Sequence, residues 1–407
     1  MKNFGRNPIL AFGSLLLAAV WLFTATAQAA SPGAAQVKKV VGTASYTDAK
    51  GGGPIKEGDI LFQGASITTG AGSYVDLFLG VNGDSLRVEA DSTITLNKLD
   101  YTNAGEIIVN TQMDVQKGAV VANVINKLSK ASKYEIKTAA GVAGIRGTVV
   151  RAGAAGVFTL QGKVEFRLNN GTLQLVIGGT VYVPGAAGVT KATTAQTSGL
   201  AVVATACTAN TQSSAATVAN VVQQFTAAIA AEAASEAGKA GGDVAQVAAT
   251  TAKAIMAQLV AAVQTAANEA PPAIRAAAQT AAANLTQKSE TVQTTAAASA
   301  AAAATVSNGG TAQQAKQSAQ SAANQSTSNQ AVANAAASNV TTGAINQAIQ
   351  NRNQGGTQGG VIETLVEATR PAAPSGPAGP GSGGKQDAKA KADTKPGDTV
   401  IFVSPTQ

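Results

Sequence analysis

The residue types best suited to chemistry lie close together between residues 138 and 153, in the stretch TAAGVAGIRGTVVRAG. Three glycines recur at every third position around one cation and two hydroxyls: Thr138, Gly141, Gly144, Arg146, Gly147 and Thr148. Glycine-rich loops bind anions because successive backbone N–H groups can point at one ligand, and a guanidinium adds a matching charge. Taken alone, the stretch predicts an anion-binding loop.

The two common nucleotide loops do not fit this stretch. A Walker loop needs a lysine between its last glycine and its Ser or Thr, whereas Gly147 is followed directly by Thr148 and preceded by Arg146. The dinucleotide fingerprint needs a helix after its last glycine, whereas the β-branched run Thr148-Val149-Val150 predicts a strand. The alternative is a glycine-permitted crossing between two strands, with Arg146 bonded to carbonyls or to an acid across the turn.

Catalytic residue types are scarce. The chain has no histidine, which excludes Ser–His and Cys–His nucleophile systems and the usual zinc ligand sets. Two carboxylate pairs, Asp76 with Asp84 and Glu89 with Asp91, could serve glycoside hydrolysis, but they stand at alternating or turn positions typical of exposed acids. The aspartates that could bind calcium lack a calcium-loop spacing: Asp48, Asp59, Asp84 and Asp91. We expect no enzyme, no metal and no cofactor, with a carboxylate-dependent glycan hydrolase as the least favoured alternative.

The first 29 residues resemble a secretory leader. Lys2 and Arg6 precede an apolar run over 9–23, and Ala27-Gln28-Ala29 offers a signal-peptidase site. We predict a signal peptide over 1–29, with a retained membrane anchor as the alternative, and no later apolar run long enough to span a membrane. The expected location is periplasmic or secreted. Cys207 is the single cysteine, so a disulfide framework within the chain is excluded.

The charge balance is mildly basic. Loss of Lys2 and Arg6 lowers the formal net charge from +7 to +5, and aromatic residues are too few to interleave with the basic ones, so we expect no nucleic-acid partner. One local concentration of lysines is either a solvated strand-and-turn face or a patch for an anionic envelope polymer: Lys117, Lys127, Lys130, Lys133 and Lys137.

Residues 30–190 read as one β domain. Period-two alternation sets Val75, Leu77 and Leu79 against Asp76, and glycine turns recur about every ten residues. Asn82-Gly83 and Asn170-Gly171 are hairpin signals. Further strands are expected in the segments DILFQGASI, STITLNKL, GAVVANVINKL, KYEIKTA, GTVVRA, GVFTLQG, KVEFRL, TLQLVIG and TVYV. The fold class is therefore an all-β domain, an antiparallel sandwich or roll of short strands, followed by an alanine-rich α-helical and largely low-complexity C-terminal region.

The sequence pattern changes after residue 190, from strands to helices. Residues 191–214 are predicted to be a linker with one strand at 200–203, and 215–304 an alanine-rich helical region. Helix faces are expected from Val218, Val221, Val222, Phe225 and Ile229, and from Val244, Val247, Ile255, Leu259 and Val263. Gly241-Gly242 separates these helices, Asp243 is an N-cap, and Pro271-Pro272 ends the second helix and opens a third. The helices form either a loose antiparallel array or a self-associating surface.

Residues 305–399 are rich in Asn, Gln, Ser, Ala, Pro and Gly, and we expect most of them to be disordered. A short β-prone tail follows at 400–407, within the sequence DTVIFVSPTQ, and it either docks as an edge strand or frays. The role of the tail is left open.

Five segments in order resemble the bacterial FecR domain. EGDILFQGASITTGAGSYVDLFL resembles its opening turns and strand, and YEIKTAAGVAGIRGTVV resembles its signature F-x-I-x-T-P-x-x-x-A-x-V-R-G-T-x-F. The other three segments are NGDSLRVEADSTITL, VQKGAVVANVINKL and FTLQGKVEF. Ala139 replaces the usual proline and Val150 a common aromatic, so local rigidity differs from the family pattern.

The resemblance implies an extracytoplasmic β module that binds or assembles rather than catalyses. In FecR regulators a cytoplasmic segment contacts a sigma factor, whereas here only residues 1–8 precede the apolar run, so that mechanism is not expected to carry over. The expected function is a non-catalytic envelope scaffold whose β domain docks a protein or polysaccharide and whose helices space or oligomerise it. A component of trans-envelope signalling is the alternative.

Overall fold

The computed structural model describes residues 30–103, 105–125, 128–356, 360–362 and 364–365. The predicted signal peptide, Lys127, the Pro/Gly/Lys-rich stretch after 365 and the β-prone tail lie outside these residues.

Within the described ranges, nineteen strands form two sheets that face each other across one core. Sheet A has the order β17-β16-β13-β12-β10-β9-β6-β3-β4, with β1 beside β9. Its strands are β1 Ser31–Pro32, β3 Ala44–Asp48, β4 Gly51–Pro54, β6 Ser66–Thr69, β9 Thr93–Asn103, β10 Ile107–Lys117, β12 Lys133–Thr138, β13 Gly141–Ile145, β16 Lys163–Leu168 and β17 Leu173–Ile177.

Sheet B has the order β19-β18-β15-β14-β11-β8-β7-β2-β5. Its strands are β2 Ala35–Val41, β5 Ile60–Leu61, β7 Tyr74–Gly80, β8 Asp84–Val88, β11 Ala119–Asn123, β14 Val149–Gly153, β15 Gly156–Gln161, β18 Thr180–Tyr182 and β19 Val189–Lys191. The chain crosses repeatedly between the two sheets, as a sandwich requires.

The core lies between the sheets and follows the period-two pattern. Val75 and Leu77 of β7 meet Ile94 and Leu96 of β9, and all four are fully buried. The hairpin signals are confirmed, because Asn82-Gly83 joins β7 to β8 and Asn170-Gly171 joins β16 to β17. The predicted sandwich of short strands is therefore present.

One strand pairing departs from the antiparallel prediction. β10 and β12 run parallel, with Met113 opposite Ile136, because the chain between them leaves sheet A to form β11 in sheet B and returns in the same direction. Sequence reasoning placed no strand over most of β10 or over β13. The polar positions Asn110, Gln112 and Asp114 lie on the open face of sheet A, which explains why the segment shows a weak apolar signal.

Seven helices follow the strands in the described part of the chain: α1 Thr194–Thr211, α2 Ala215–Lys239, α3 Val244–Glu269, α4 Pro272–Ser307, α5 Ala312–Ser326, α6 Gln330–Asn339 and α7 Thr342–Asn353. The predicted N-cap is confirmed, since the Asp243 carboxylate accepts from the N–H groups of Ala245 and Gln246. The predicted apolar face of α2 is buried. Pro272 opens α4 as predicted.

Two predictions about the second half are wrong. Residues 194–211 are a helix rather than a linker with a strand, and Thr193 begins it with a reciprocal capping box to Gln196. Helices α5 to α7 occupy 312–353, where disorder was predicted. The missed signal is the N-cap at the start of each helix, formed by Thr311, Asn329 and Thr341, whose side chains accept from backbone N–H groups.

The helices pack on sheet B and on one another. Leu200, Val218 and Phe225 share a buried cluster with Val121 and Leu160 of sheet B. A second cluster, made mostly of alanines from α2 to α7, lies farther along the helices. By length and composition α3 could span a membrane, contrary to the sequence expectation, and 33% of its most apolar window is buried.

Candidate functional site

The stretch from Thr138 to Gly153 is a hairpin followed by a crossover. β12 turns through Ala139 and Ala140 into β13, which pairs with both β12 and β16. The segment from Arg146 to Thr148 then carries the chain from sheet A to β14 in sheet B. The predicted crossing is correct in kind, but it is three residues long, and a strand occupies what looked like its first half.

The three glycines of this stretch have different physical roles. Gly147 has φ +78°, a conformation that L side chains rarely adopt, so it makes the sharp turn between sheets. A Cβ on Gly141 would lie 2.2 Å from the Arg167 carbonyl oxygen, so this glycine allows β13 to approach β16 closely. At Gly144 the nearest atom would be 3.6 Å away, an ordinary contact.

The backbone N–H groups that an anion-binding loop would need are not grouped around one point in this structure. Gly141 and Gly144 stand in register with residues of β12 and β16 on both sides, so their backbone groups belong to the sheet ladder. An anion nest needs successive N–H groups that converge on one point. The exposed Arg146 donates from Nη1 to the Lys130 carbonyl at 2.8 Å, a contact between the crossover and the preceding turn.

The two hydroxyls of the stretch also bond to backbone. Thr138 Oγ1 donates to the Gly141 carbonyl at 3.2 Å and accepts from the Ala140 N–H at 3.3 Å, which closes the turn between β12 and β13. Thr148 Oγ1 donates to the Lys163 carbonyl at 3.4 Å. Both threonines are buried. The motif residues are therefore engaged in building the fold at this position.

The structure describes four of the five lysines of the predicted patch. Lys133 and Lys137 are exposed on the open face of β12, and Lys130 is exposed in the preceding turn. Lys117 ends β10, three residues beyond Asp114, the register partner of Lys137, and Lys127 lies outside the described residues. Acids dilute the charge, since the Lys137 ammonium lies 3.4 Å from Asp114. The open face of sheet A is a mixed ionic surface with a small basic excess.

Two of the acids considered for glycan chemistry, Asp76 and Asp84, are buried rather than exposed as predicted. Asp76 is fully buried rather than exposed, and Arg87 binds it with both prongs of the guanidinium, Nε to Oδ1 and Nη2 to Oδ2, each at 2.6 Å. Glu89 accepts from Arg151 at 2.8 Å. Asp84 and Asp91 have φ of +34° and +53°, so they serve tight turns. No cluster of three metal-ligating side chains occurs among the described residues.

A helix completes the site around Asp76. Asn210 of α1 donates from Nδ2 to Asp76 Oδ2 at 2.7 Å, and the Tyr74 ring lies 3.9 Å from the Arg87 guanidinium carbon. Burial alone would lower the pKa of Arg87, but the Asp76 carboxylate outweighs burial and raises it. We call Asp76, Arg87 and Asn210 the buried ionic strut.

Further polar pairs run along the same contact between α1 and sheet B. Asn123 of β11 donates to Thr208 at 2.7 Å, and the Ser85 hydroxyl of β8 bonds the Thr211 hydroxyl at 2.5 Å. Cys207 of the same helix is fully buried, and burial, with the Asp76 charge second, raises the pKa of its thiol. Sequence reasoning missed this interface because it assigned residues 191–214 to a linker.

A shallow cleft of about 630 Å³ lies between α4 and α5, with α3 beside it. Neutral amides and hydroxyls line it, including Asn308, Gln314 and Ser318. These groups can hydrogen-bond a ligand, and the side chains that line the cleft are uncharged at neutral pH.

Comparison with known proteins returned one family. The model of the family described as FecR protein matches residues 65–174, which run from the start of β6 into β17. No curated protein and no solved structure matched the chain. The match includes both members of the Asp76–Arg87 pair, while Asn210 lies beyond it. The resemblance drawn from the five sequence segments is confirmed: the chain carries a FecR-family domain, which forms the greater part of its β-sandwich.

Proposed function

We propose that this protein is a non-catalytic extracytoplasmic scaffold whose sandwich docks an envelope protein or polysaccharide through the outer face of sheet A. The observation that carries the proposal is the unequal use of the two sheets. Helices α1 and α2 cover the outer face of sheet B, whereas side chains on the outer face of sheet A remain exposed. FecR domains are typically extracytoplasmic, which agrees with the predicted leader.

The chemistry of this face favours an anionic partner. Lys133, Glu135 and Lys137 point outward from β12, and Lys163, Glu165 and Arg167 point outward from β16. β13 runs between them, with Val142 in register with Lys137 and Arg167. Two charged rows thus flank a low row of small side chains, and each row carries two cations and one acid. An extended anionic chain or an acidic protein surface would meet this arrangement favourably.

The proposal is tested by removing the basic excess. The combined variant Lys133→Gln, Lys137→Gln and Arg167→Gln should weaken retention of envelope glycan and protein on the immobilised chain by about tenfold or more. A matched control makes the same type of change on exposed helix positions: Lys253→Gln, Lys288→Gln and Lys316→Gln. Equal retention by both variants and the wild type would contradict the docking face.

The helical region is proposed as the spacer. The buried ionic strut and the apolar cluster fix α1 to sheet B, so the helices extend from the face opposite the docking surface. Self-association through the helices is the other role compatible with their alanine surfaces. Sedimentation of the full chain at several concentrations distinguishes a monomeric spacer from an oligomer.

A second candidate, a component of trans-envelope signalling, is favoured by the FecR family match. It predicts that deletion of the protein changes transcription of an uptake or stress operon. Unchanged transcript levels, together with loss of envelope retention in the docking-face variant, would leave the scaffold as the better description.

A further inference from the structure

The cleft between α4 and α5 differs in chemistry from the charged rows of sheet A. None of the eleven described residues that line it is charged or aromatic. Seven of them carry a carboxamide or a hydroxyl, and the remaining four are alanine or glycine. The cleft therefore offers hydrogen bonds without a net charge.

Most of the polar side chains of the cleft stand on one face of α5. They recur every three or four residues, which places them one above another on a helix. The row consists of Gln314, Gln317, Ser318, Ser321 and Gln325. From its first to its last member the row extends roughly 16 Å at the rise of an α-helix. A row of this length can contact an extended chain.

α4 supplies the facing side of the cleft. Ala301 and Thr305 stand four residues apart on this helix, and Asn308 follows as its C-cap. A hydrogen bond of 2.7 Å joins Thr305 Oγ1 to Ser318 Oγ, so the two helices are tied together at the cleft. A ligand would therefore meet polar groups whose spacing is already fixed.

Four polar side chains of the cleft are unpaired in the part of the chain that the structure describes. Asn308, Gln317, Ser321 and Gln325 are exposed, and their side chains make no hydrogen bond to another described residue. Three of the four are carboxamides. Each of these groups can therefore exchange its bonds to water for bonds to a ligand.

Carboxamides of α5 that face α6 are paired instead. Gln320 donates to Asn334 of α6 at 3.2 Å, and Gln330 of α6 donates to Asn324 at 3.3 Å. Amides on that side bond one another and join the two helices. The same residue type thus has two uses on α5, and the row in the cleft is the one open to a ligand.

A hydroxyl-rich ligand without charge matches this lining. A carboxamide offers donors and an acceptor side by side, and a serine hydroxyl both donates and accepts, so each group can bond sugar hydroxyls that also do both. An anionic polymer would meet no cation among the lining residues. A protein segment usually brings an apolar or aromatic anchor into a pocket, whereas the apolar residues here are three alanines: Ala245, Ala301 and Ala322.

We infer that the cleft between α4 and α5 binds an uncharged polysaccharide chain. The inference goes beyond the proposed docking function, because the cleft belongs to the helical region and includes none of the charged residues of sheet A. It gives the helices a binding role in addition to spacing.

Binding of the full chain to uncharged oligosaccharides of glucose, galactose, mannose and N-acetylglucosamine tests the inference. Gln317→Ala combined with Gln325→Ala should weaken binding of the retained sugar by about tenfold. Alanine has a high helix propensity, so this variant should keep α5 intact. The matched control, Gln258→Ala with Gln287→Ala, removes two exposed carboxamides outside the cleft and should bind as the wild type does.

Salt and the sheet A variant separate this site from the docking face. Binding of an uncharged sugar should not change with salt, because the ligand carries no charge to be screened. The variant with Lys133→Gln, Lys137→Gln and Arg167→Gln should bind the oligosaccharides as the wild type does. Failure of either proposal is therefore visible without the other.

Three results would overturn the inference. The first is that none of the four kinds of oligosaccharide binds, and the second is that the cleft variant binds as tightly as the wild type. The third is retention of an uncharged Gly-Ser peptide with no oligosaccharide bound, which would assign the cleft to a protein segment.

Discussion

The outer faces of the two sheets differ in exposure: helices cover that of sheet B, and that of sheet A is open. Strands of sheet A show buried and exposed residues in alternation, as β16 does from Lys163 to Leu168. The central strands of sheet B are buried on both faces, and every residue of β8 and β11 is buried. A sheet face loses its exposure when another layer covers it, and here the layer is α1 with α2. The difference shows which face is available to a partner.

Sheet B is covered through polar contacts as well as apolar ones. An ion pair taken out of water loses hydration, and it persists only when its partners replace the lost hydrogen bonds. The buried ionic strut meets this condition, because both Asp76 oxygens accept from Arg87 and one accepts also from Asn210. A buried pair of this kind is weak evidence for stability, and the contribution of α1 to it is the hydrogen bond from Asn210.

Breaking the strut should have the largest effect. Asp76→Ala leaves the Arg87 guanidinium buried without its carboxylate, which we expect to destabilise the protein by about 3–5 kcal/mol. Urea unfolding measures the loss as a lower midpoint. Asp114→Ala is the control on the open sheet, where the pair with Lys137 is partly exposed and should contribute below about 1 kcal/mol. Equal losses in the two variants would contradict the contrast between the faces.

A substitution in α1 alone tests how firmly this helix is held on sheet B. Asn210→Ala removes a hydrogen bond to a charged group, which is expected to cost about 1.5–3 kcal/mol. Cys207 of α1 reports the result, because its side chain is fully buried and burial raises the pKa of its thiol, so it should resist alkylation in the wild type. Alkylation of native protein should become faster in Asn210→Ala. An unchanged rate would mean that α1 stays seated without this bond.

The open sheet has its own tightly packed position. In Gly141→Ala the new Cβ would meet the Arg167 carbonyl at 2.2 Å, and a backbone atom cannot move aside without disturbing β16. We expect a loss of about 1–3 kcal/mol from this overpacking. Gly144→Ala is the matched control three residues along the same strand, where the nearest atom lies 3.6 Å away and little change is expected. Similar urea midpoints for the two variants would refute the packing difference.

The contrast between the sheets also explains what the sequence could predict. Alternation in β7 correctly identified Val75, Leu77 and Leu79 as core, because that face is buried in any sandwich. The same alternation wrongly predicted that Asp76 is exposed. The other face of β7 is covered by α1, which lies more than 100 residues later in the chain. The helix itself was missed because Thr and Ala dominate it, so it lacks a clear apolar stripe, and the local signal was its capping box.

Motif spacing gave the crossover but not the strand inside it. The prediction that a glycine permits the turn is correct for Gly147, whose φ is positive. Gly141 and Gly144 looked equivalent in sequence, yet one is required by contact with β16 and the other is not. Contacts between residues distant in the chain, such as Gly141 and Arg167, leave no mark on local spacing, so only the three-dimensional pairing separates the two glycines.

The exposed ion pairs of Glu236, at the rim where α2 meets sheet B, should contribute the smallest change in stability. Hydrogen bonds from Lys191 of β19 and Lys239 of α2 lower the pKa of Glu236 to about 2. A carboxylate with a lowered pKa stabilises the fold above its unfolded pKa of 4.5, and the contribution is lost as pH falls toward 2. Because these side chains are about half exposed, Glu236→Gln should cost less than about 1 kcal/mol at pH 7.

The difference in urea midpoint between wild type and variant should shrink between pH 4.5 and the lowest pH at which the protein stays folded, and it should also shrink in high salt. A difference that is constant with pH would instead mean that Glu236 acts through packing, and the rim would then resemble the buried strut rather than the open sheet.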